Sequence, residues 1–561
     1  MPVTLSWVLF GVVALWAANS VLDQRSRATR LKMLRSAWGE APNRSRDMIA
    51  IAAYHRSRAS VDAGGALDDR TWHDLNMDDV FSVLDRTESV VGQQVLYARL
   101  RGAPNIEQLE AFEALVARMS DDERARERAQ LALGPLRATV GYDLWSLTQP
   151  GAIETPAWYL LFPVIGVSMA IFAVLAPFWS IALFPLAVGG LGSIVARASI
   201  ARPLRMVAGA FRQLNPLIAA AGVLSALEDR ATAPLVGTLR ADASRLTRLR
   251  RIAACAGRDP SAAIAGDLAS LLFEYLNLVF WLDANALFFG ARELRRRAPE
   301  LLRVIAGVGE VDAALSVASY RSGTAGWTRP IFRPAGSSMV MSDVRHPLLP
   351  DAVPNSIALA PPHGVIITGS NMSGKSTFLR TVGVTAILAQ TTNTCVARAY
   401  EAPVFAVRSC IGREDDPASG KSYYLVEVES VLALVQAARS AVPHLMLFDE
   451  LFRGTNAVER IAAGEAVLYT LLAPAAGGRP SPHVVLAATH DQELVDLLAG
   501  TYAAYHFTDT VATEGWAFDY RRQPGPATSR NAIALLGQRG APRELVERAL
   551  ARAAALDRVR S

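Results

Sequence analysis

Cysteine is nearly absent from this chain: there are three in 561 residues, Cys255, Cys395 and Cys410, and no pair stands at a CxxC spacing. That excludes a disulfide framework and a cysteine-built metal centre, and it fits unpaired thiols in a reducing compartment. Charge is missing from three long runs, 3–18, 158–175 and 179–195. No basic residue precedes the first run, whereas Arg25, Arg27, Arg30 and Lys32 follow it. A cleavable signal peptide carries its positive charge first, so the pattern predicts an uncleaved anchor with its carboxyl side in the cytoplasm; a buried core helix is the alternative. The second and third runs are each about long enough to cross a bilayer and are separated only by Ala176, Pro177 and Phe178. With Trp158, Phe178 and Trp179 at its ends and Arg197, Arg202 and Arg205 after its exit, this stretch is expected to be a transmembrane hairpin. Three spans without ionisable residues offer no substrate path, which argues against a transporter. A fourth apolar stretch, 268–289, is interrupted by Glu274, Asn277 and Asp283 and reads as a buried helix.

Hydrophobic residues make up 51% of the chain and the mean hydropathy is +0.21, which is high for a purely soluble protein. The net charge of +5 and pI of about 9.2 fit nucleic acid or anionic lipid and do not separate them.

The most specific chemistry lies in Gly369-Ser370-Asn371-Met372-Ser373-Gly374-Lys375-Ser376, followed by Thr377, which matches the phosphate-loop pattern GxxxxGK[ST]. It stands behind the apolar run Val365, Ile366, Ile367 and ahead of Phe378, Leu379 and Arg380, a strand-loop-helix context. Successive backbone N–H groups can cradle phosphate oxygens, Lys375 can reach the β- and γ-phosphates, and Ser376 can ligate Mg2+. A second apolar run, 445–448, ends in Asp449 and Glu450. There Asp449 suits the magnesium-organising acid and Glu450 the general base for in-line attack by water. A third, 484–488, ends in Thr489 and His490, and His490 is placed to sense the γ-phosphate.

The segment 368–377, the stretch 415–422, Asp449 to Thr455, and Ala488 to His490 together resemble the ATPase motifs of the MutS family, in the family's order. The resemblance implies an ABC-type ATPase using ATP and Mg2+, in which Asn371 contacts the γ-phosphate. It also implies that Ser419, Gly420 and Ser422 form a signature loop serving the partner subunit's nucleotide, so that catalysis needs a homodimer. Glu427 and Glu429 follow on a helix, where Glu429 reads as part of a solvated face. Upstream, Arg345-His346-Pro347 and Val353-Pro354-Asn355 are similar to the family's adenine-flanking segment, but Ala352 stands where an aromatic is common, and Tyr520 is a substitute. Tyr423 and Tyr424 after Ser422 also depart from the family pattern. The stretch from Gly540 to Arg548 resembles the end of the family's ATPase domain, with Pro542 opening a helix.

The run 84–89 with Gly92, Leu96 and Leu100 resembles the opening of the family's core domain, and 310–318 resembles the return of its lever helices. The family's mismatch-reading module, with its Phe-x-Glu motif, is not expected ahead of this core. The basic residues Arg240, Arg245, Arg248, Arg250 and Arg251 are the DNA-clamp candidates, with lipid or solvent as alternatives. The expected fold class is therefore a C-terminal α/β ABC-type P-loop ATPase domain, preceded by an all-α core and lever region interrupted by transmembrane helices. The expected divisions are 1–22 (anchor), 23–150 (helical core), 151–200 (hairpin), 201–335 (lever) and 336–561 (ATPase). The ATPase is expected in the cytoplasm, beneath the inner membrane, with DNA as its partner; the alternative is a mechanochemical or scaffold ATPase that never binds DNA.

Overall fold

The computed structural model describes residues 25–58, 66–153, 156–256, 275–277, 280–360, 363–370, 373–411, 423–440, 442–474, 478, 480–512, 515–527, 533, 536–537 and 540–560. The run 3–18, residues 412–422 with the stretch expected as a signature loop (415–422), Asn371 and Met372 lie outside these residues, as does most of the 268–289 stretch ahead of Phe280.

Two units are present. The first comprises residues 1–59, 84–98 and 110–323; the second comprises 60–83, 99–109 and 324–561. The 23–150 region, expected as one helical body, is thus shared between them.

The first unit is helical, and two helices of 42 residues, Leu183–Leu224 and Leu282–Gly323, form its frame. At 1.5 Å per residue each is about 63 Å long. They pack on each other and on the Thr247–Ala256 helix through residues at helical spacing, among them Phe211, Leu214, Leu217, Leu246, Leu249, Leu287 and Leu294, all buried. Gly290 permits the closest approach, because a Cβ there would stand 2.8 Å from the Phe211 ring.

The apolar hairpin consists of the Leu161–Leu175 helix, a turn, and the start of the Leu183–Leu224 helix, so its second arm continues without a break into the frame. Ala157–Leu175 is the one helix among the described residues long and apolar enough to cross a membrane; the apolar part of the second arm, Ser180–Gly192, is shorter. Most of the hairpin's large side chains are exposed, including Leu161, Val164, Val167, Ile171, Phe184 and Leu191. The arms meet at Gly189, where a Cβ would collide with the Met169 thioether.

Asp312 ties together the two segments at 84–92 and 310–318. Its carboxylate accepts the backbone N–H groups of Glu88 and Ser89 at 2.8 Å each and the Ser89 hydroxyl at 2.5 Å. Gly92 makes room for it, since a Cβ there would stand 2.1 Å from Asp312. Burial pushes Asp312 up to about 7, although the three donors oppose this.

The second unit contains two sheets. Its strands are β1 (Ile331–Phe332), β2 (Met339–Val344), β3 (Asn355–Leu359), β4 (His363–Gly369), β5 (Ala399–Ala402), β6 (Ala406–Cys410), β7 (His444–Asp449), β8 (Val484–Ala488), β9 (Tyr502–Ala512) and β10 (Gly515–Pro524). The larger sheet has the order β10-β9-β4-β8-β7-β6, parallel throughout except for the antiparallel edge strand β10. The smaller has the order β1-β5-β2-β3. Strands β7 and β8 are apolar runs because both sheet faces are covered. The Lys375–Thr392 helix is buried almost along its whole length. One of its contacts is Leu75, which with Leu447 would meet any Cβ placed on Gly383. Asp74, one residue before Leu75, accepts the Ser409 hydroxyl at 2.7 Å and the Ile411 N–H at 2.9 Å, fixing the 66–83 segment to β6. Cys395 and Cys410 are buried free thiols, with Cys410 pushed up to about 12 by burial.

A folded-state pKa raised above the ordinary value of 3.8 contributes stability that is complete below that value and is lost as pH rises through about 7. The stability difference between the native chain and Asp312→Asn is therefore expected to shrink between pH 4 and pH 8, measured by urea denaturation. A difference that grows over that range contradicts this reading of the buried carboxyl.

Candidate functional site

The parallel register brings the carboxyl ends of β4, β8 and β7 side by side: Ile367 pairs with Ala488, and Ala488 pairs with Asp449. Three chain segments far apart in sequence thus deliver their polar residues to one edge of the sheet, where parallel α/β folds bind ligands.

At the end of β4 the chain turns through Gly369, with φ 140°, and Gly374, with φ 108°. Both glycines are required. A Cβ on Gly369 would stand 2.7 Å from the Phe507 carbonyl oxygen, and Gly374 lies in the left-handed region immediately ahead of the Lys375–Thr392 helix. Ser373 Oγ donates to the Ser370 carbonyl at 2.8 Å, closing the loop. Lys375 Nζ donates to the carbonyl oxygens of Gly369 and Ser370 at 2.8 Å each and stands 3.5 Å from His490 Nε2. The ammonium therefore sits at the centre of the loop, with the positive end of a helix beside it, an arrangement suited to a polyphosphate.

Ser376 Oγ donates to Asp449 Oδ2 at 2.5 Å. The other carboxylate oxygen, Asp449 Oδ1, is buried and has no hydrogen-bond partner among the described residues. Burial raises the pKa of Asp449; the Ser376 hydrogen bond and the charge of Lys375 oppose the shift, and neighbouring Glu450 adds to it. An unsatisfied oxygen on a strained anion beside a serine hydroxyl fits a small hard cation such as Mg2+.

Glu450 leaves the strand with φ 55°, and Phe452 follows with φ 56°, both unusual for non-glycine residues. Two bonds hold this bend. The Glu450 N–H donates to the Ala488 carbonyl at 2.9 Å, and the Phe452 N–H donates to Glu427 Oε1 at 2.6 Å. The bend turns the Glu450 carboxylate toward His490 Nε2, 3.0 Å from Oε1, while Arg453 Nη1 lies 2.6 Å from Oε2. His490 is positioned in turn by β8, whose extension bonds the Thr489 N–H to the Ile367 carbonyl at 3.0 Å.

Lys375, Ser376, Asp449, Glu450 and His490 therefore converge, and Gly369, Ser370, Ser373 and Gly374 form the loop around them. Thr377 is exposed on the first helical turn. Asn371, Met372, Ser419, Gly420 and Ser422 lie outside the described residues. Glu429 is exposed, whereas Glu427 is buried and fixes the bend after Glu450. Helical spacing alone gave no sign of that role.

Residues 365–557 match the family model for MutS domain V. The chain is thus similar to MutS domain V over about a third of its length. It is 35% identical over 272 residues to the DNA mismatch repair protein MutS of Thermus thermophilus, an alignment covering 47% of this chain and 31% of that protein. It is 33% identical over 273 residues to DNA mismatch repair protein MutS 2 of Halobacterium salinarum (47% and 30%). With the DNA mismatch repair protein MutS of Streptococcus pneumoniae it shares 29% over 315 residues (52% and 34%). The chain spans about a third of the length of the curated relatives it matches, and these matches support a MutS-family protein.

Ahead of the matched residues, Asn355 clamps a turn of β10: its amide Nδ2 donates to the Tyr520 carbonyl at 2.9 Å and its Oδ1 accepts the Arg522 N–H at 2.8 Å. Tyr520, with φ 51°, stacks on Phe518 with ring centroids 5.7 Å apart. Its ring stands 3.3 Å from where a Gly374 Cβ would be, so an aromatic face does border the phosphate loop. Ala352, partly exposed, supplies none. His346 is buried, which lowers its pKa to about 4, with Arg380 adding to the effect.

If the lone Asp449 oxygen is a cation ligand, Asp449→Asn is expected to leave the thermal midpoint nearly unchanged and to weaken Mg2+-dependent nucleotide binding by more than about tenfold. Titration of a fluorescent nucleotide with and without Mg2+ measures this. Equal Mg2+ dependence in the two proteins contradicts it.

Proposed function

We propose that this chain is a membrane-anchored MutS-type ATPase that binds ATP with Mg2+ and hydrolyses it as a homodimer, its helical unit coupling the nucleotide state to DNA. The observation that carries the ATPase reading is the convergence of Lys375, Ser376, Asp449, Glu450 and His490 at the ends of three neighbouring parallel strands.

In this mechanism Lys375 leaves the carbonyls of Gly369 and Ser370 for the β- and γ-phosphate oxygens, and the loop N–H groups and Asn371 hold the remaining charge. Ser376 and Asp449 would hold Mg2+, which would supply charge neutralisation to the phosphates when bound. Glu450 accepts the proton of the attacking water as its oxygen bonds to the γ-phosphorus and the bond to the bridging oxygen breaks. His490 orients Glu450 and reads the γ-phosphate. Ser419, Gly420 and Ser422 of one copy complete the anion site of the other, so turnover depends on association. Tyr520 stacks on the adenine.

The similarity to DNA mismatch repair proteins favours DNA as the partner. The clamp candidates favour it less, because three of the five have partners within the fold: Arg245 pairs with Asp242, Arg250 donates to Asn215, and Arg248 faces Glu293. The exposed apolar hairpin supports the second reading, a mechanochemical or scaffold ATPase at the inner membrane that does not touch nucleic acid. In either reading residues 151–200 sit in the bilayer and the 336–561 ATPase in the cytoplasm.

Lys375→Ala is expected to abolish ATP binding, while Glu450→Gln binds ATP but loses about a hundredfold or more in turnover and accumulates as dimer. Unchanged turnover in Glu450→Gln removes the base assignment. Filter binding of branched, mismatched and plain duplexes over several salt concentrations separates the two readings. Preference for one structure at constant salt supports DNA coupling, and steep salt dependence without preference supports the scaffold.

A further inference from the structure

At the base of the exposed hairpin lies a cavity of about 340 Å³. One wall is the start of the hairpin, with Pro156 and Leu160; the other is the long Leu282–Gly323 helix, with Phe288, Arg292, Arg295 and Arg296. Arg292 and, one turn on, the adjacent Arg295 and Arg296 therefore share a pocket with apolar groups that continue into an uncovered apolar surface.

The remaining charges of this helix behave differently. Arg297 is neutralised by Glu293 and Glu300, at 3.7 Å and 3.1 Å, and Arg303 by Asp242 at 2.8 Å. Among the described residues Arg292 and Arg296 make no ion pair, and both are exposed. Among the described residues no acidic residue lines the cavity. The charges of Arg292 and Arg296, in a concave, half-apolar setting, ask for an anion that has an apolar body.

The surroundings specify where that anion sits. Trp158, 46% exposed, packs edge-on against Tyr159 and Phe162 with centroids 4.7 Å and 5.3 Å away, and Phe162 packs on Trp281 at 5.8 Å. Such a belt of amphipathic aromatics belongs at a membrane–water boundary. The apolar arm rises on one side of this belt and the arginines stand at its foot.

We propose that this cavity binds the phosphodiester headgroup of an anionic phospholipid of the cytoplasmic leaflet. Arg292, Arg295 and Arg296 hold the phosphate, while Leu160 and Phe288 contact the glycerol end of the acyl chains. This rests on the membrane reading above and adds a lipid preference to it. The site also joins the membrane surface to the helix whose far end carries Asp312, so lipid occupancy acts on a helix of the core frame.

Flotation of the full chain with vesicles tests the proposal. The native protein is expected to float with phosphatidylcholine vesicles through its hairpin and to bind about tenfold more tightly when phosphatidylglycerol is included. The triple variant Arg292→Ala, Arg295→Ala, Arg296→Ala is expected to float with phosphatidylcholine equally well but to lose the phosphatidylglycerol increment, with its ATP turnover in detergent unchanged as the control for folding. Glycerol phosphate and inorganic phosphate at millimolar concentration are expected not to compete. If the native protein floats with neither vesicle, the membrane reading itself fails. If it floats but the triple variant keeps the full increment, this site is wrong and the membrane reading stands. Full competition by inorganic phosphate makes the cavity a soluble-anion site and overturns the lipid assignment.

Discussion

The hydrogen bond from Ser376 to Asp449 is the contact on which the rest of the candidate site depends. It joins the first turn of the phosphate-loop helix to the end of β7, and it leaves the second Asp449 oxygen buried without a partner among the described residues. An anion left half-satisfied in a poorly hydrated position is costly, and burial accordingly raises its pKa. The surrounding polar groups are arranged to make that cost useful. Lys375 is folded onto its own loop, Glu450 is turned out of the sheet, and His490 links the two. A polyphosphate with its cation would satisfy all of these groups at once.

The bend after β7 stores conformational strain where the chemistry is expected. Glu450 and Phe452, left-handed residues on either side of Leu451, cost of order 1–3 kcal/mol each. They are held from outside, by the Ala488 carbonyl on one side and the Glu427 carboxylate on the other. Glu427 lies on the helix that begins at Tyr423, immediately after the stretch resembling the signature loop. A single buried carboxylate thus connects the helix that follows that stretch to the backbone that aims Glu450. Any shift of the Tyr423–Ala437 helix would be felt at Glu450.

The parts of this arrangement legible in the sequence were those encoded locally. Strands β4, β7 and β8 stood out because a strand buried on both faces is a continuous apolar run, and Asp449, Glu450 and His490 stood out because each follows such a run. The glycine spacing around Lys375 marked the loop for the same reason. What was not legible depends on long-range pairing. Glu427 reaches Phe452 only because the fold brings their segments together. The 66–83 segment looked like part of a helical core, yet Asp74 and Leu75 are committed to β6 and to the phosphate-loop helix. Ser89 and Asp312, singled out in two separate motifs, are 223 residues apart and meet in one buried hydrogen-bond cluster. No spacing rule announces such a partner.

The proposed mechanism requires that the nucleotide site be shared between two copies. ATP turnover per protomer, followed over a wide range of protein concentration with oligomeric state measured in the same samples, tests it most directly. The account predicts a turnover that rises with the dimer fraction and vanishes on dilution to monomer. A constant turnover per protomer in samples that are monomeric throughout would contradict it.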